Sequence, residues 1–216
     1  MTPSLVPLPP PAAPRKKSSA LWIVIPILCA IPVLLLLLLG GLAYLYAKSG
    51  EQLAATAQDR AVVIDAAALA AHVPGLAVDP AKEQLKKERN AFGVVTVSYE
   101  YEGQPALYVK SSATFDKTAS DAKTSYGGAR LGLEGYLAAT GKLQTVARDD
   151  LLRWGDESRS SLLVRDGKPL GNFFIARKGG RVFMLMTAGI YFDDPALMSE
   201  LLRPRLEAME RHAVAD

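Results

Sequence analysis

The pattern of hydrophobic and polar residues divides this chain into an apolar run and a longer mixed part. Residues 20–47 read ALWIVIPILCAIPVLLLLLLGGLAYLYA and contain no charged side chain. About 20 apolar residues cross a hydrocarbon core of roughly 30 Å, because a helix rises about 1.5 Å per residue. Trp22, Tyr44 and Tyr46 stand near the ends of the run, where amphipathic rings favour membrane interfaces. The pattern predicts a transmembrane helix, Ala20–Ala47, in contact with the lipid bilayer.

Two other kinds of membrane anchor fit the apolar run less well than this helix. A cleaved signal peptide has an apolar region of roughly 7–15 residues, about half the length of this run. A lipoprotein anchor at Cys29 would need a small residue directly before the cysteine, but Leu28 is there. The apolar run also continues beyond the cysteine. A signal anchor that stays in the membrane fits the run better than either alternative.

The charges that flank the run predict its orientation. Arg15–Lys17 precede it directly, whereas the next cations on the other side are Lys48 and Arg60. Basic residues close to a span are retained in the cytoplasm. We therefore expect a single-pass protein of the inner (cytoplasmic) membrane, with the N-terminus cytoplasmic and residues 48–216 extracytoplasmic.

The remaining segments differ in composition. Residues 1–19 hold six prolines and predict a disordered, Pro-rich cytoplasmic tail. Residues 48–60 are polar and alanine-rich, which predicts a stalk or a helical continuation. Residues 61–216 are enough for one extracytoplasmic domain. Within that domain, residues 80–90 mix both charges and predict a solvated turn or helix.

Alternation marks the strands of the domain. Apolar and polar residues alternate from Phe92 to Tyr101, which predicts a half-buried strand, and residues 106–112 return as a second strand. The clearest hairpin joins Asn172–Lys178 to Arg181–Met186 through Gly179-Gly180, a two-residue loop that tolerates positive φ. This loop places Ile175 opposite Met184 and Ala176 opposite Phe183. Both faces of the hairpin are apolar, so we expect it at the centre of a sheet.

Helices are predicted from capping residues and apolar stripes. Asp65 can cap Ala66–His72, and Asp194-Pro195 can start a last helix with one apolar stripe. That stripe consists of Met198, Leu201, Leu202, Leu206 and Met209. A further helix over 117–137 contains four glycines, which either permit close packing on the sheet or break the helix near Gly127. The fold class predicted is α+β, one antiparallel sheet packed by helices.

Three segments of the domain resemble a known family. They are Ile64-Asp65-Ala-Ala-Ala-Leu-Ala-Ala-His72, Trp154-Gly155-Asp156-Glu157 and Arg177-Lys178-Gly179-Gly180-Arg181-Val182. Their order over residues 61–212 resembles bacterial extracytoplasmic domains of the Mog1/PsbP-like type, which include kinase sensor domains and lipoproteins. The resemblance implies a non-catalytic domain that binds or senses on the outer side of a membrane. The 19-residue inner tail is too short to hold a kinase, and likeness of fold does not determine function.

Charge and side-chain chemistry exclude several functions. Arg15–Lys17 account for the net charge of +3, since the 22 acidic residues and the other 22 basic residues all follow Ala47. The domain is thus neutral, and with no basic-aromatic stripe it predicts no nucleic-acid binding. The only two histidines, His72 and His212, and the absence of cysteine after Cys29 predict no metal site. No nucleophile motif or phosphate loop occurs, so neither an enzyme nor a cofactor is expected.

One polar cluster is the candidate binding site. Arg177, Lys178 and Arg181 crowd the hairpin tip, and like charges across a strand pair call for an acidic neighbour or an anionic partner. Trp154 and Asp156 lie at another predicted turn, and loops often carry recognition. A solvated tip that discourages aggregation is the alternative interpretation.

Three functional hypotheses follow from the sequence. The preferred one is a non-catalytic, membrane-tethered extracytoplasmic binding or interaction module, sensor-like, whose partner is an envelope protein or a ligand. The second is a structural or assembly component of an envelope complex, and the third is an unrecognised hydrolase. A large apolar cleft favours the first, a flat apolar patch the second, and a buried carboxylate of raised pKa beside a cleft the third.

Overall fold

A computed structural model describes residues 50–103, 107–140 and 143–213 of the chain. The proline-rich tail and the predicted transmembrane helix lie outside these residues. Among the residues described, no helix combines the length and the apolar character needed to cross a membrane. The described part is an α+β fold with one antiparallel sheet, which confirms the predicted fold class of the domain.

Eight strands in the order β1-β2-β3-β4-β8-β7-β6-β5 form the sheet of the described part. Every neighbouring pair is antiparallel. The strands are β1 Glu51–Leu53, β2 Glu83–Arg89, β3 Val95–Gly103, β4 Leu107–Phe115, β5 Leu143–Ala147, β6 Glu157–Arg165, β7 Lys168–Lys178 and β8 Arg181–Ala188. The four α-helices of this part are α1 Ala57–Arg60, α2 Ala66–Ala70, α3 Ala119–Thr140 and α4 Pro195–Arg211.

The hairpin of β7 and β8 has the predicted register and position. Ile175 pairs with Met184 and Ala176 with Phe183. Gly179 has a φ of +56°, which a glycine adopts without strain. β4 lies on one side of the hairpin and β6 on the other, so the hairpin is central. Its interior positions are buried because both faces of the sheet are covered there.

The sheet has two differently covered faces. On the back face, Tyr99, Phe174, Phe183 and Leu185 form the main core with α2 and α4. The predicted stripe of α4 is buried in this core, and Asp194 and Pro195 start the helix as expected. On the front face, α3 covers a second apolar cluster. That cluster includes Ala122, Tyr126, Leu137, Leu163, Phe173, Ile175 and Val182.

Three segments differ from the sequence prediction. Residues 51–53 and 57–60, expected in a stalk, form β1 and α1, and Asp59 of α1 is fully buried. Residues 83–89, expected as a solvated turn or helix, form β2. Charged residues are tolerated in β1 and β2 because these strands are the outermost pair at one edge of the sheet. The edge strand β5 was not predicted, because four of its five residues are exposed and it carries no alternation.

Helix α3 runs unbroken from Ala119 to Thr140, so the break near Gly127, one of the two alternatives left open by the sequence, does not occur. Thr118 caps the start of the helix, since its hydroxyl accepts the N–H of Asp121 at 3.1 Å. The glycines at 127, 128, 132 and 135 do not serve close packing. A Cβ added to any of them would meet nothing within 4 Å.

Alanine substitutions at Gly132 and Gly135 are therefore expected to stabilise the protein. Each removes the entropic cost of a helical glycine, about 0.5–1 kcal/mol, without a steric clash. Urea unfolding of the full chain in lipid nanodiscs measures the gain. Gly171→Ala is the matched control, because its Cβ would overlap the carbonyl oxygen of Thr187, and it should destabilise. A loss of stability at both helical glycines would contradict the prediction.

Candidate functional site

A cavity of about 710 Å³ lies between α3 and the front face of the sheet. We call it the front cavity. Most of its wall is apolar and comes from α3 and from strands β5 to β8. These residues are Ala129, Leu133, Leu137, Leu143, Leu163, Leu170, Phe173, Met184, Met186 and Ala188. Its size falls in the range of roughly 300–1,000 Å³ that is typical of small-molecule sites.

Simple periodicity brings these side chains together. Ala129, Leu133 and Leu137 recur every four residues and so share one face of α3, while Met184 and Met186 alternate along β8 toward the same side. Of these five side chains only Leu137 is buried, and the other four are half-buried, although all five face the space between α3 and the sheet. The helix does not close on the sheet there. Two methionines in the wall give it an adaptable surface.

The rim of the front cavity is polar and mixed in charge. It is formed by Glu100, Glu102, Tyr108, Lys110 and Arg165. The Tyr108 hydroxyl donates to Oε1 of Glu100 at 2.8 Å. Lys110 lies between Glu100 of β3 and Met186 of β8 in the sheet register. Arg165 pairs with Leu143 in the sheet register, whereas Glu100 and Lys110 lie on β3 and β4, so polar groups stand at both ends of an apolar interior.

The structure brings the five predicted site residues together at one end of the hairpin. Arg177 donates to Asp156 Oδ2 at 3.1 Å and to Glu157 Oε1 at 3.0 Å. Lys178 donates to Glu210 at 2.7 Å, and its ammonium lies 5.5 Å from the centroid of the Trp154 ring. Acidic neighbours from the same chain therefore relieve the predicted crowding of cations.

The turn at Trp154–Asp156 is hydrogen-bonded to the tip of the hairpin. The N–H of Asp156 donates to the Arg177 carbonyl at 2.7 Å, and its carboxylate accepts the N–H of Gly179 at 2.9 Å. Gly155 has a φ of +73°, and a Cβ there would overlap the Arg177 carbonyl. Nε of Arg181 donates to the Met209 carbonyl at 2.9 Å. These contacts join two turns and the end of α4, which is a structural role.

A polar cavity of about 490 Å³ adjoins this cluster. Trp154 and Asp156 line it, together with Tyr126, Arg130, Asp149, Arg153, Gly155, Glu157, Ser158 and Arg159. Its acidic and basic side chains are present in similar numbers. The predicted site thus borders a solvated, charge-balanced depression, and the apolar cleft lies elsewhere, under α3.

Sequence reasoning missed a buried polar cluster around His212, the residue that follows α4. The Asp59 carboxylate accepts the Thr56 hydroxyl at 2.7 Å and the Thr56 N–H at 2.8 Å. Lys87 Nζ lies 3.0 Å from Asp59 Oδ1, and His212 Nε2 lies 2.9 Å from the same oxygen. The His212 ring stacks on Phe115 with centroids 4.8 Å apart. We call these residues the Asp59 cluster.

Burial and hydrogen bonding act in opposite directions on the Asp59 carboxyl. Burial alone would raise its pKa, but the hydrogen bonds from Thr56, Lys87 and His212 outweigh burial and hold the pKa below its usual value. The carboxylate is therefore ionised and paired. One signal was available, because His212 continues the buried stripe of α4 three residues beyond Met209.

The carboxylates that adjoin one another in the sequence have ordinary partners. Asp150 pairs with Arg148 at 2.9 Å, and Asp194 caps α4 by accepting the N–H of Ala196 at 2.8 Å. Burial raises the pKa of Asp116, whose Oδ1 accepts the Ser125 hydroxyl at 2.9 Å, but this carboxyl does not line the front cavity. Among the described residues, no group of three or more His, Cys, Asp or Glu side chains could hold a metal ion.

Comparison with known proteins adds no relative. No family model matches the chain, and no curated protein or solved structure matches it. The Mog1/PsbP-like resemblance therefore stays a prediction from the sequence.

Proposed function

We propose that this protein is a non-catalytic, membrane-tethered binding module that holds a small ligand in its front cavity. The cavity is the observation that carries the proposal. A mostly apolar cavity of this size with a few polar groups at its rim is the usual form of a small-molecule site. An apolar cleft favours a binding module, whereas a flat apolar patch would favour an assembly component.

The tether is the second part of the proposal. The apolar run of residues 20–47 would hold the domain at the membrane, and Arg15–Lys17 would keep the short tail in the cytoplasm. The domain would then meet ligands on the extracytoplasmic side.

Photo-crosslinking in intact spheroplasts tests both parts. A benzophenone amino acid replaces Leu133, which lines the front cavity, and in a matched control it replaces Leu131, which is 61% exposed on the same helix. Irradiation at position 133 should give an adduct of small, discrete mass that is absent at position 131. Protease added to the spheroplasts should remove an epitope at the C-terminus.

Two results would count against the proposal. Identical adducts at both positions, or no adduct at position 133, would contradict a ligand site in the front cavity. Protection of the C-terminal epitope from added protease would overturn the predicted orientation.

A further inference from the structure

We propose that a second copy of this chain binds along the edge strand β5, so that two copies form a dimer with a continuous sheet. The interface would form whether or not the front cavity holds a ligand. Three features of this edge lead to it: its outward-facing backbone groups, its lack of charge, and the exposed apolar side chains beside it.

β5 turns one row of backbone groups away from the sheet. The N–H of Arg148 donates to the Ser160 carbonyl at 2.9 Å, and hydrogen bonding alternates along an antiparallel strand. The even-numbered residues of β5 therefore bond to β6, and the odd-numbered residues point their N–H and C=O groups outward. The outward-facing residues are Leu143, Thr145 and Ala147. No strand of the described part pairs with this side of β5.

The two edges of the sheet differ in how they are protected from another strand. Natural edge strands are commonly protected by charges, prolines, bulges or a very short length. β1 has three residues and contains Glu51, whereas β5 has five residues, LQTVA, with neither a charge nor a proline. Its pairing with β6 is also regular. Of the two edges, β5 is therefore the one that is open to strand addition.

Exposed apolar side chains are concentrated beside β5. Arg148, which directly follows the strand, donates to the Asp193 carbonyl at 3.1 Å, so the segment before α4 lies at this edge. Five large hydrophobic side chains are exposed in the described part, and three of them belong to β5, to this segment and to the first turn of α4. These three are Val146, Tyr191 and Leu197. Apolar surface beside an open strand edge is typical of a protein interface.

The charges that flank β5 select one register for a second copy. Two registers pair the outward-facing groups over most of the strand, one centred on Thr145 and one on Val146. The first would place Arg148 opposite Lys142 of the second copy, and like charges across a strand pair are unfavourable. The second places Arg148 opposite the uncharged Gln144, and it covers each exposed Val146 with the other. We therefore expect the register centred on Val146.

Pairing of β5 with itself also limits the assembly to two copies. Both copies use the same strand, so the interface is closed by a two-fold axis, whereas pairing of β5 with β1 would continue from copy to copy. The axis runs perpendicular to the paired strands and to the sheet. The front cavities of both copies would therefore lie on the same face of the continuous sheet.

Disulfide crosslinking tests the register. The full chain with Cys29→Ser receives one new cysteine, by Val146→Cys or by Thr145→Cys, and is oxidised in the membranes of the expressing cells. At position 146 the two Cα atoms would be about 4.5 Å apart, within the range of roughly 4.4–6.8 Å that disulfides need. Val146→Cys should therefore give a disulfide-linked dimer on a non-reducing gel. Thr145→Cys is the matched control and should stay monomeric, because its Cα atoms would be about 7–8 Å apart.

A charge at the two-fold axis tests whether this edge causes the dimer. Light scattering should give the mass of two chains for the full-length protein in detergent and of one chain for Val146→Lys, which places two ammonium groups opposite each other. Leu131→Lys is the matched control, since Leu131 is exposed on α3, and it should remain a dimer. Both variants should keep the wild-type circular dichroism spectrum because both side chains are exposed.

Three other outcomes would overturn the proposal. A mass of one chain for the wild type, or a dimer that Val146→Lys leaves intact, would refute the interface at β5. Crosslinking at position 145 and not at 146 would refute the register. Crosslinking of Val146→Cys to a different protein, and not to a second copy, would refute the choice of partner.

Discussion

Asp59→Asn is expected to lower the free energy of unfolding by about 3–5 kcal/mol, because it leaves a buried cation without its counter-ion. Asp59 is fully buried, and the side chain of Lys87 is only 11% exposed. The carboxylate also joins α1 to His212, just beyond the end of α4. Losing it would weaken the contact between the first and last helices of the domain.

The effect should depend on pH with a defined sign. The folded-state pKa of Asp59 is below its usual value of 3.8, so ionised Asp59 stabilises the fold above that pH. This stabilisation is lost as the pH falls through the folded pKa. The difference between wild type and Asp59→Asn should therefore be largest near neutral pH and shrink below about pH 4.

Urea unfolding of the full chain in nanodiscs at several pH values measures both effects. Asp150→Asn is the control, since Asp150 is 59% exposed and solvent screens its pairing with Arg148, so that the loss of stability should be small. A loss at Asp59 no larger than at Asp150, or one that does not vary with pH, would refute a stabilising ionised cluster.

The hairpin of β7 and β8 shows what local sequence can predict. Gly179-Gly180 selects a two-residue loop, and the loop length sets which residues pair. Ile175 and Met184 thus become neighbours without reference to the rest of the chain. The cap at Asp194 and the stripe of α4 are equally local, because a helix places residues three and four apart on one face.

The Asp59 cluster shows what local sequence does not contain. Asp59 and His212 are 153 residues apart, and both also contact strands distant in the sequence, through Lys87 of β2 and Phe115 of β4. The pattern Thr56-x-x-Asp59 indicates only a helix start, which it also provides as a capping box. Asp59 is also the counter-ion of Lys87. That contact requires β2, the strand that the sequence predicted as a solvated turn or helix.

The front cavity could not be predicted for a related reason. Its wall residues are ordinary core residues by sequence, and periodicity assigns them to buried faces. Whether α3 closes on the sheet depends on the distance between two elements, which periodicity does not report. The site at Trp154 and Arg177 was predicted from clustered charges. In the structure those charges form ion pairs within the chain.

Phe183→Ala should lower the free energy of unfolding by about 3–5 kcal/mol. Phe183 is fully buried on β8 between Ala113 of β4 and Ala176 of β7, and its ring lies 6.2 Å from that of Phe174. Removing the ring leaves a cavity at the centre of the back face. The flanking residues are alanines, which are too small to fill it.

A second phenylalanine provides the matched control. Phe92 lies in the turn between β2 and β3 and is 66% exposed, so Phe92→Ala should change the free energy of unfolding by no more than about 0.5 kcal/mol. The two substitutions remove the same atoms and differ in burial, so their difference in urea unfolding isolates the contribution of the core. Equal losses at the two sites would mean that the back face of the central hairpin is not the core of the domain.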